Sequence, residues 1–350
     1  MKKFPFVIFI LQISFSALTL AGQGTIRQSA DKLGKNIGVA VSNQFFRFSD
    51  DHQYKTLLKS EFNTVVAENV MKPVSIEPVR GQFLFDKPDS LIAFAAANGM
   101  KVRGHCLVWH KQIPRWMNND QLSSGELFAI LKEYITTVVT HFKGRIFAWD
   151  VVNEAIDEKE ADSFRKSAWM KVLGPSFIDS AFVWAHRADP TALLIYNDYG
   201  AEDIGAKSNA VFTLVKAMKA RNIPISGVGL QCHFQLGKTN FDGMKQNMER
   251  IARLGLQTQI TELDISLPSD QLTNENYEKQ AREYEQVMSL FLKDNNCTAF
   301  MLWGLTDKFS WIPGFSLNKR GSALVFSEDY SRKPAYNSVF NLLNKSVRNK

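Results

Sequence analysis

The sequence predicts an α/β fold, a single closed (β/α)8 TIM barrel, and three observations carry that prediction. Short apolar, β-branched runs alternate with amphipathic stretches eight times from Asn36 onward, a pattern that suits a closed parallel barrel better than an open sheet. Two runs, Trp149-Asp150-Val151-Val152-Asn153-Glu154 and Gln259-Ile260-Thr261-Glu262-Leu263-Asp264, end abruptly in carboxylates. Buried parallel strands read this way when their C-terminal tips carry chemistry. Finally, seven of the eight runs end in polar or aromatic side chains, which packing alone does not require.

The strand-like runs are Ile37–Val41, Thr64–Ala67, Lys101–Val108, Ile146–Val152, Leu193–Asn197, Gly227–His233, Gln257–Leu263 and Thr298–Leu305. Helical periodicity fills the gaps: His52–Lys59, Pro88–Asn98, Ser124–His141, Phe164–Ala188, Ala206–Arg221, Phe241–Arg253, Tyr277–Lys293 and Pro334–Leu343. Asp86, Ser123 and Asp242 sit where helix N-caps and first turns favour oxygen acceptors. Asn98-Gly99 and Leu254-Gly255 are C-terminal stops.

Ahead of the first run lies a different segment. Met1-Lys2-Lys3 is basic, Phe6 to Leu20 is mostly apolar, and Ala21-Gly22 offers small residues for cleavage, the pattern of an export signal. The apolar stretch is short for a membrane span of ~20 residues. The expectation is a signal peptide over 1–21, one catalytic barrel over 22–350, and a secreted or periplasmic monomer with no membrane attachment after cleavage. No Ser/Thr/Pro-rich linker or second composition regime divides the remainder, and barrels of ~250 residues or more fold as one unit.

The net charge is +7, and losing the two lysines of residues 1–21 leaves +5. No Lys/Arg cluster interleaved with aromatics accompanies it, so nucleic acid is excluded as a partner. Cys106, Cys232 and Cys297 lack metal-type spacing, and neither metal nor cofactor is expected. Strand alternation turns Cys106 and Cys232 away from the site on strands that are not neighbours, while Cys297 begins the last strand. Three free thiols are therefore expected.

In order along the chain stand Ala67-Glu68-Asn69-Val70-Met71-Lys72, Arg103-Gly104-His105-Cys106-Leu107-Val108-Trp109-His110 and Trp149 to Ala155. Tyr196-Asn197-Asp198-Tyr199, Gly229-Leu230-Gln231-Cys232-His233 and Ile260-Thr261-Glu262-Leu263-Asp264 follow. Leu302-Trp303-Gly304-Leu305-Thr306-Asp307-Lys308-Phe309-Ser310-Trp311 and Lys333-Pro334-Ala335-Tyr336 close the set. Together these strings resemble glycoside hydrolase family 10, the retaining endo-β-1,4-xylanases, over nearly all of the chain beyond residue 21. Cys106 and Cys232 replace hydroxyl residues more usual beside the two histidines. Phe309 stands where Tyr is common, and Ile312 where Arg often follows the tryptophan.

The resemblance implies that xylan and xylo-oligosaccharides are the substrates, with Glu154 as acid/base and Glu262 as nucleophile. Alternation points Glu262 and Asp264 the same way, so Asp264 can orient or charge His233, and His233 can keep Glu262 ionised. Glu154 has no cation in its own string, so burial and the charge of Glu262 would hold its proton. By the same resemblance Asn153 bonds the sugar 2-hydroxyl and Gln231 supports the acid/base. Glu68, Asn69, Lys72, His105, Trp109 and Tyr196 bind substrate, and Trp303 and Trp311 stack sugars. Gln112 and Trp311 crowd the space where glucose would carry its hydroxymethyl group.

Trp149, Trp169 and Trp184 are assigned to the core. A barrel glycosidase acting on cellulose or a mixed glucan shares the Asn-Glu element but not the Gly-His-Cys-Leu-Val-Trp-His and Asp-Lys-Phe-Ser-Trp strings. A barrel that binds glycans without cleaving them should have lost a carboxylate, and both are present.

Overall fold

The apolar runs form eight barrel strands: β1 (Asn36–Val41), β2 (Thr64–Ala67), β3 (Lys101–Val108), β4 (Ala148–Asn153), β5 (Leu193–Asp198), β6 (Gly227–Leu230), β7 (Gln257–Pro268) and β8 (Cys297–Leu302). The computed structural model describes residues 24–47, 52–118, 121–157 and 164–349, so the expected signal segment 1–21 lies outside the described residues. Each strand pairs in parallel with the next, and β8 pairs with both β7 and β1, which closes the ring. The expected (β/α)8 barrel is present.

Alternation along the strands makes two cores. Ile37, Val39 and Val41 of β1 and Val65 and Ala67 of β2 join the main apolar layer between strands and helices. Ala40, Val66 and Met301 face the other way and form a small cluster inside the ring, topped by Trp303. Trp149, Trp169 and Trp184 are buried in the outer layer as expected. Trp149 lies against β3 where Gly104 leaves room; a Cβ there would overlap the indole.

Helix ends follow local chemistry. Ser123 and Glu126 form a reciprocal capping box on Ser124–His141. Asp86 and Asp242 lie in first turns, the cap of the latter helix being Asn240. Gly99 and Gly255 adopt positive φ just past their helices.

Three expectations need correction. The single helix over Phe164–Ala188 is two, Ala168–Leu173 and Ser176–Ala188; Gly174 at φ 63 and Pro175 break the chain between them. The sixth strand stops at Leu230, because Cys232 takes a φ of 61, and pairing resumes over His233–Gln235. β7 runs to Pro268 rather than Leu263, pairing with that extension and with Arg320–Gly321. An unexpected helix, Ile26–Leu33, packs against the C-terminal helix Pro334–Arg348, and Glu61 ties the two through Ile26 N and the Tyr336 hydroxyl. No helix among the described residues is long and apolar enough to cross a membrane.

Candidate active site

The long β7 strand explains half of the site. Glu262 and Asp264, two residues apart, face the same way, and the register sets His233 directly beside Asp264. His233 Nδ1 lies 3.0 Å from Asp264 Oδ2, and its Nε2 lies 3.1 Å from Glu262 Oε2. Burial works against charge on this imidazole, but Asp264 and Glu262 outweigh it and raise its pKa to about 10. Burial likewise pushes Glu262 up, yet the His233 hydrogen bond and the His105 and His233 rings bring it below the usual carboxylate range. Trp311 Nε1 donates to the same Asp264 Oδ2 at 2.9 Å, so the indole, the carboxylate and the imidazole fix one another.

Glu154 is built differently. It follows β4 with a φ of 57, in the left-handed region that costs an L-residue roughly 1–2 kcal/mol. Its Oε1 accepts from Gln231 Nε2 at 3.1 Å and Asn153 Nδ2 at 3.3 Å. Gln231 thus lies in hydrogen-bond contact with Glu154. From outside its own string, His110 just past β3 brings its Nδ1 to 3.7 Å from Glu154 Oε2.

The two carboxylates are joined by amides. Asn197 Nδ2 reaches Glu262 Oε1 at 2.7 Å and Asn153 Oδ1 at 2.8 Å, and Thr261 Oγ1 donates to Asn197 Oδ1 at 2.7 Å. Gly229 makes this possible, because a Cβ there would overlap Asn197 Oδ1. Sequence reasoning placed Asn197 at a strand tip without assigning it a role; the β4–β5 register, Asn153 opposite Asn197, brings it in.

Beneath, Arg103 is fully buried and bonds both oxygens of Asp150 and the side chain of Gln259. Asp150 Oδ2 lies 3.0 Å from His105 Nδ1, which is 3.9 Å from Glu262 Oε1. Burial would raise Asp150, but Arg103 and His105 hold it below its ordinary value. The Arg103–Asp150 pair went unassigned in the sequence. A charged residue inside an apolar strand was the available signal, because a buried charge requires a partner.

On the β2 and β3 tips, Lys72 Nζ donates to Asn69 Oδ1 at 3.2 Å and sits 4.9 Å from the Trp109 ring centre. Burial raises Glu68 above its ordinary value, against the pull of Lys72. Trp303 lies on the floor, 5.1 Å from the His105 ring and 6.3 Å from His233. Trp311 is half-buried above it, 4.9 Å from His233. Gln112 is exposed on the loop after β3, where its carbonyl accepts from Val74 N.

Tyr196 is the residue the structure removes from the binding surface. Its side chain is fully buried in the outer core, and its hydroxyl accepts from Ala155 N and Ile156 N while donating to Asp198 Oδ2. The reason is parity: Asn197 faces into the ring, so its neighbours face out. Cys106, Cys232 and Cys297 are all free and buried, and among the described residues no group of three or more His, Cys, Asp or Glu could hold a metal ion.

Known proteins share this arrangement of strands. Endo-1,4-beta-xylanase B of Thermotoga neapolitana is 40% identical over 323 residues, 92% of each chain. The crystal structure of xylanase 10B from Thermotoga petrophila in complex with xylobiose superposes with a TM-score of 0.90 at 40% identity, covering 92% of this chain and 98% of that one. Exoglucanase XynX of Acetivibrio thermocellus is also 40% identical, over 86% of this chain but 28% of its own longer one. The model of glycosyl hydrolase family 10 matches residues 25–342, and with the barrel and its paired glutamates this leaves one conclusion: the chain belongs to glycosyl hydrolase family 10.

Proposed function

We propose that this chain is an exported endo-β-1,4-xylanase that hydrolyses internal bonds of xylan and xylo-oligosaccharides by double displacement with retention. The observation that carries the reading is the asymmetry of the two glutamates. Glu262 is hydrogen-bonded to an imidazole that Asp264 keeps charged, whereas Glu154 is held by amides. One is therefore equipped to stay ionised and the other to carry and return a proton.

In the first step Glu262 attacks the anomeric carbon, the glycosidic C–O bond breaks, and Glu154 gives its proton to the departing oxygen. The glycosyl ester removes the charge of Glu262, so Glu154 can then act as a base. In the second step Glu154 takes a proton from water, the oxygen of that water attacks the anomeric carbon, and the ester bond to Glu262 breaks. Asn153 serves the 2-hydroxyl, a contact that strengthens in an oxocarbenium-like transition state. Glu68, Asn69, Lys72, His105 and Trp109 hold the glycone side, and Trp303 and Trp311 offer flat apolar faces to the pyranose C–H surfaces. Gln112 and Trp311 discriminate against a hydroxymethyl group.

Proton NMR of a digest should show the β-anomer forming first and equilibrating later. The α-anomer as first product would overturn both the mechanism and the roles. A glucan substrate is the second reading, prompted by the relative named exoglucanase. It predicts comparable kcat/KM on aryl cellobiosides and xylobiosides, against a preference for xylose on the main reading. Export rests on residues 1–21 alone, and N-terminal sequencing of the mature protein should begin at or near Gly22.

A further inference from the structure

The backbone that carries Glu154 is held by a second apparatus, which lies outside the sugar-binding surface. After Glu154 takes its left-handed turn, three successive backbone N–H groups are claimed by two residues of β5. Glu154 N donates to Asn197 O at 2.9 Å, while Ala155 N and Ile156 N converge on the Tyr196 hydroxyl at 3.1 and 3.2 Å. A phenol can accept both only if its own proton is directed elsewhere. Asp198 supplies that direction, accepting from the Tyr196 hydroxyl at 2.6 Å through Oδ2.

Asp198 in turn is fully buried, and its Oδ1 lies 2.8 Å from Lys207 Nζ and accepts from Tyr199 N. Lys207 is itself buried, with its ammonium 3.7 Å from the centre of the Tyr199 ring. Arg165 closes the turn from the far side, donating to the carbonyls of Glu154 and Ile156. A charged pair in an apolar layer is a costly way to fill space. Here it polarises one phenol so that its lone pairs point at the turn behind the proton donor.

We propose that Tyr196, polarised by the Asp198–Lys207 pair, is a positioning residue that aims the Glu154 carboxyl at the leaving-group oxygen. The inference rests on the acid/base role of Glu154 given above. A small misplacement of a proton donor can reduce rates by as much as ~100-fold. That loss falls only on substrates whose leaving group must be protonated.

The test compares kcat/KM on xylotriose with kcat/KM on 2,4-dinitrophenyl β-xylobioside for wild type, Tyr196→Phe, Asp198→Asn and Glu154→Ala. The value of kcat/KM reports steps through glycosyl-enzyme formation. The ratio between two substrates does not depend on how much protein is folded, so destabilisation alone leaves it unchanged. Tyr196→Phe removes only the hydroxyl and should lower the xylotriose value roughly 10- to 100-fold while sparing the activated glycoside. Asp198→Asn should move the ratio the same way by less. Equal losses on both substrates, or no loss, in Tyr196→Phe would overturn the proposal. If Glu154→Ala itself leaves the ratio unchanged, the acid/base assignment fails instead, and the two failures are thereby told apart.

Discussion

The two glutamates sit a few side chains apart, and their surroundings have little in common. Around Glu262 the chain has gathered charge: His233 with Asp264 behind it on one side, and His105 with Asp150 and Arg103 behind it on the other. Around the Glu154 carboxyl it has gathered side-chain amides, with His110 Nδ1 at 3.7 Å. The difference teaches how one barrel gives two neighbouring carboxyl groups unlike surroundings, which is what the proposed division of labour requires. Alternating opposite charges stabilise the ionised form of Glu262, while Glu154 is held in place by the side-chain amides of Asn153 and Gln231.

The largest effects should come from removing the carboxylates, and they should differ in kind. Glu262→Ala eliminates glycosyl-enzyme formation whatever the leaving group, and kcat/KM should fall by roughly 10⁵-fold on polymer and aryl glycoside alike. Glu154→Ala should lose about 10²–10⁴-fold on xylan yet keep most of its kcat/KM on a dinitrophenyl xylobioside. Azide should accelerate the second variant by attacking the intermediate without a base. A pair of variants with the same substrate dependence would erase the contrast between the two glutamates.

The charged half can be dissected through His233. Its pKa is raised to about 10 from an ordinary 6.5. The stability it contributes is therefore present in full below pH 6.5 and lost as pH rises through about 10. His233→Asn should lack that alkaline loss in a series of denaturant melts. With the imidazole gone, Glu262 loses the hydrogen bond and charge that lower its pKa, so the acid limb of kcat/KM should move to higher pH. Activity at pH 5 should fall on the order of tenfold. An unmoved acid limb would assign that limb to another group.

The amide half has a more sensitive point in Gly229. A methyl group there overlaps Asn197 Oδ1, and Asn197 bonds both Asn153 and Glu262. Gly229→Ala should cost about 1–3 kcal/mol in a thermal or urea melt, with a fall in kcat rather than a rise in KM. A loss confined to KM would mean that Asn197 only lines the sugar site.

How much of this was legible follows from what each feature depends on. The spans Thr64–Ala67, Lys101–Val108 and Ser124–His141 are the same in sequence and structure, because hydrophobic period and local caps set them. Both carboxylates were legible because each ends an apolar run, and the His233–Asp264–Glu262 contact followed from parity on one strand. Asn197, Arg103 and His110 acquire their partners across the ring or between neighbouring strands, and no local pattern encodes that register. Tyr196 was misread for a simpler reason. The resemblance assigned it to the substrate, and the alternation that had placed Glu262 and Asp264 on one face was not applied to it.

The smallest expected effects lie beside the histidines, at Cys106 and Cys232, where the contrast between the two halves should vanish. Both thiols are buried, and burial pushes each well above its ordinary value; that of Cys297 reaches about 12. A thiol so placed is a poor nucleophile, since thiolate is the reactive form. A disulfide-exchange reagent should find almost no reactive group in the native protein and three after denaturation without reductant; a count of one would mean a disulfide. Cys232→Ala deletes one buried sulfur and should cost about 1 kcal/mol in a melt. Its acid limb and its xylotriose-to-dinitrophenyl ratio should match wild type, because the sulfur belongs to the outer apolar layer, whereas the His233 imidazole is what hydrogen-bonds Glu262. A shifted acid limb in this variant would show that packing behind the imidazole, as well as charge around it, sets the ionisation of Glu262.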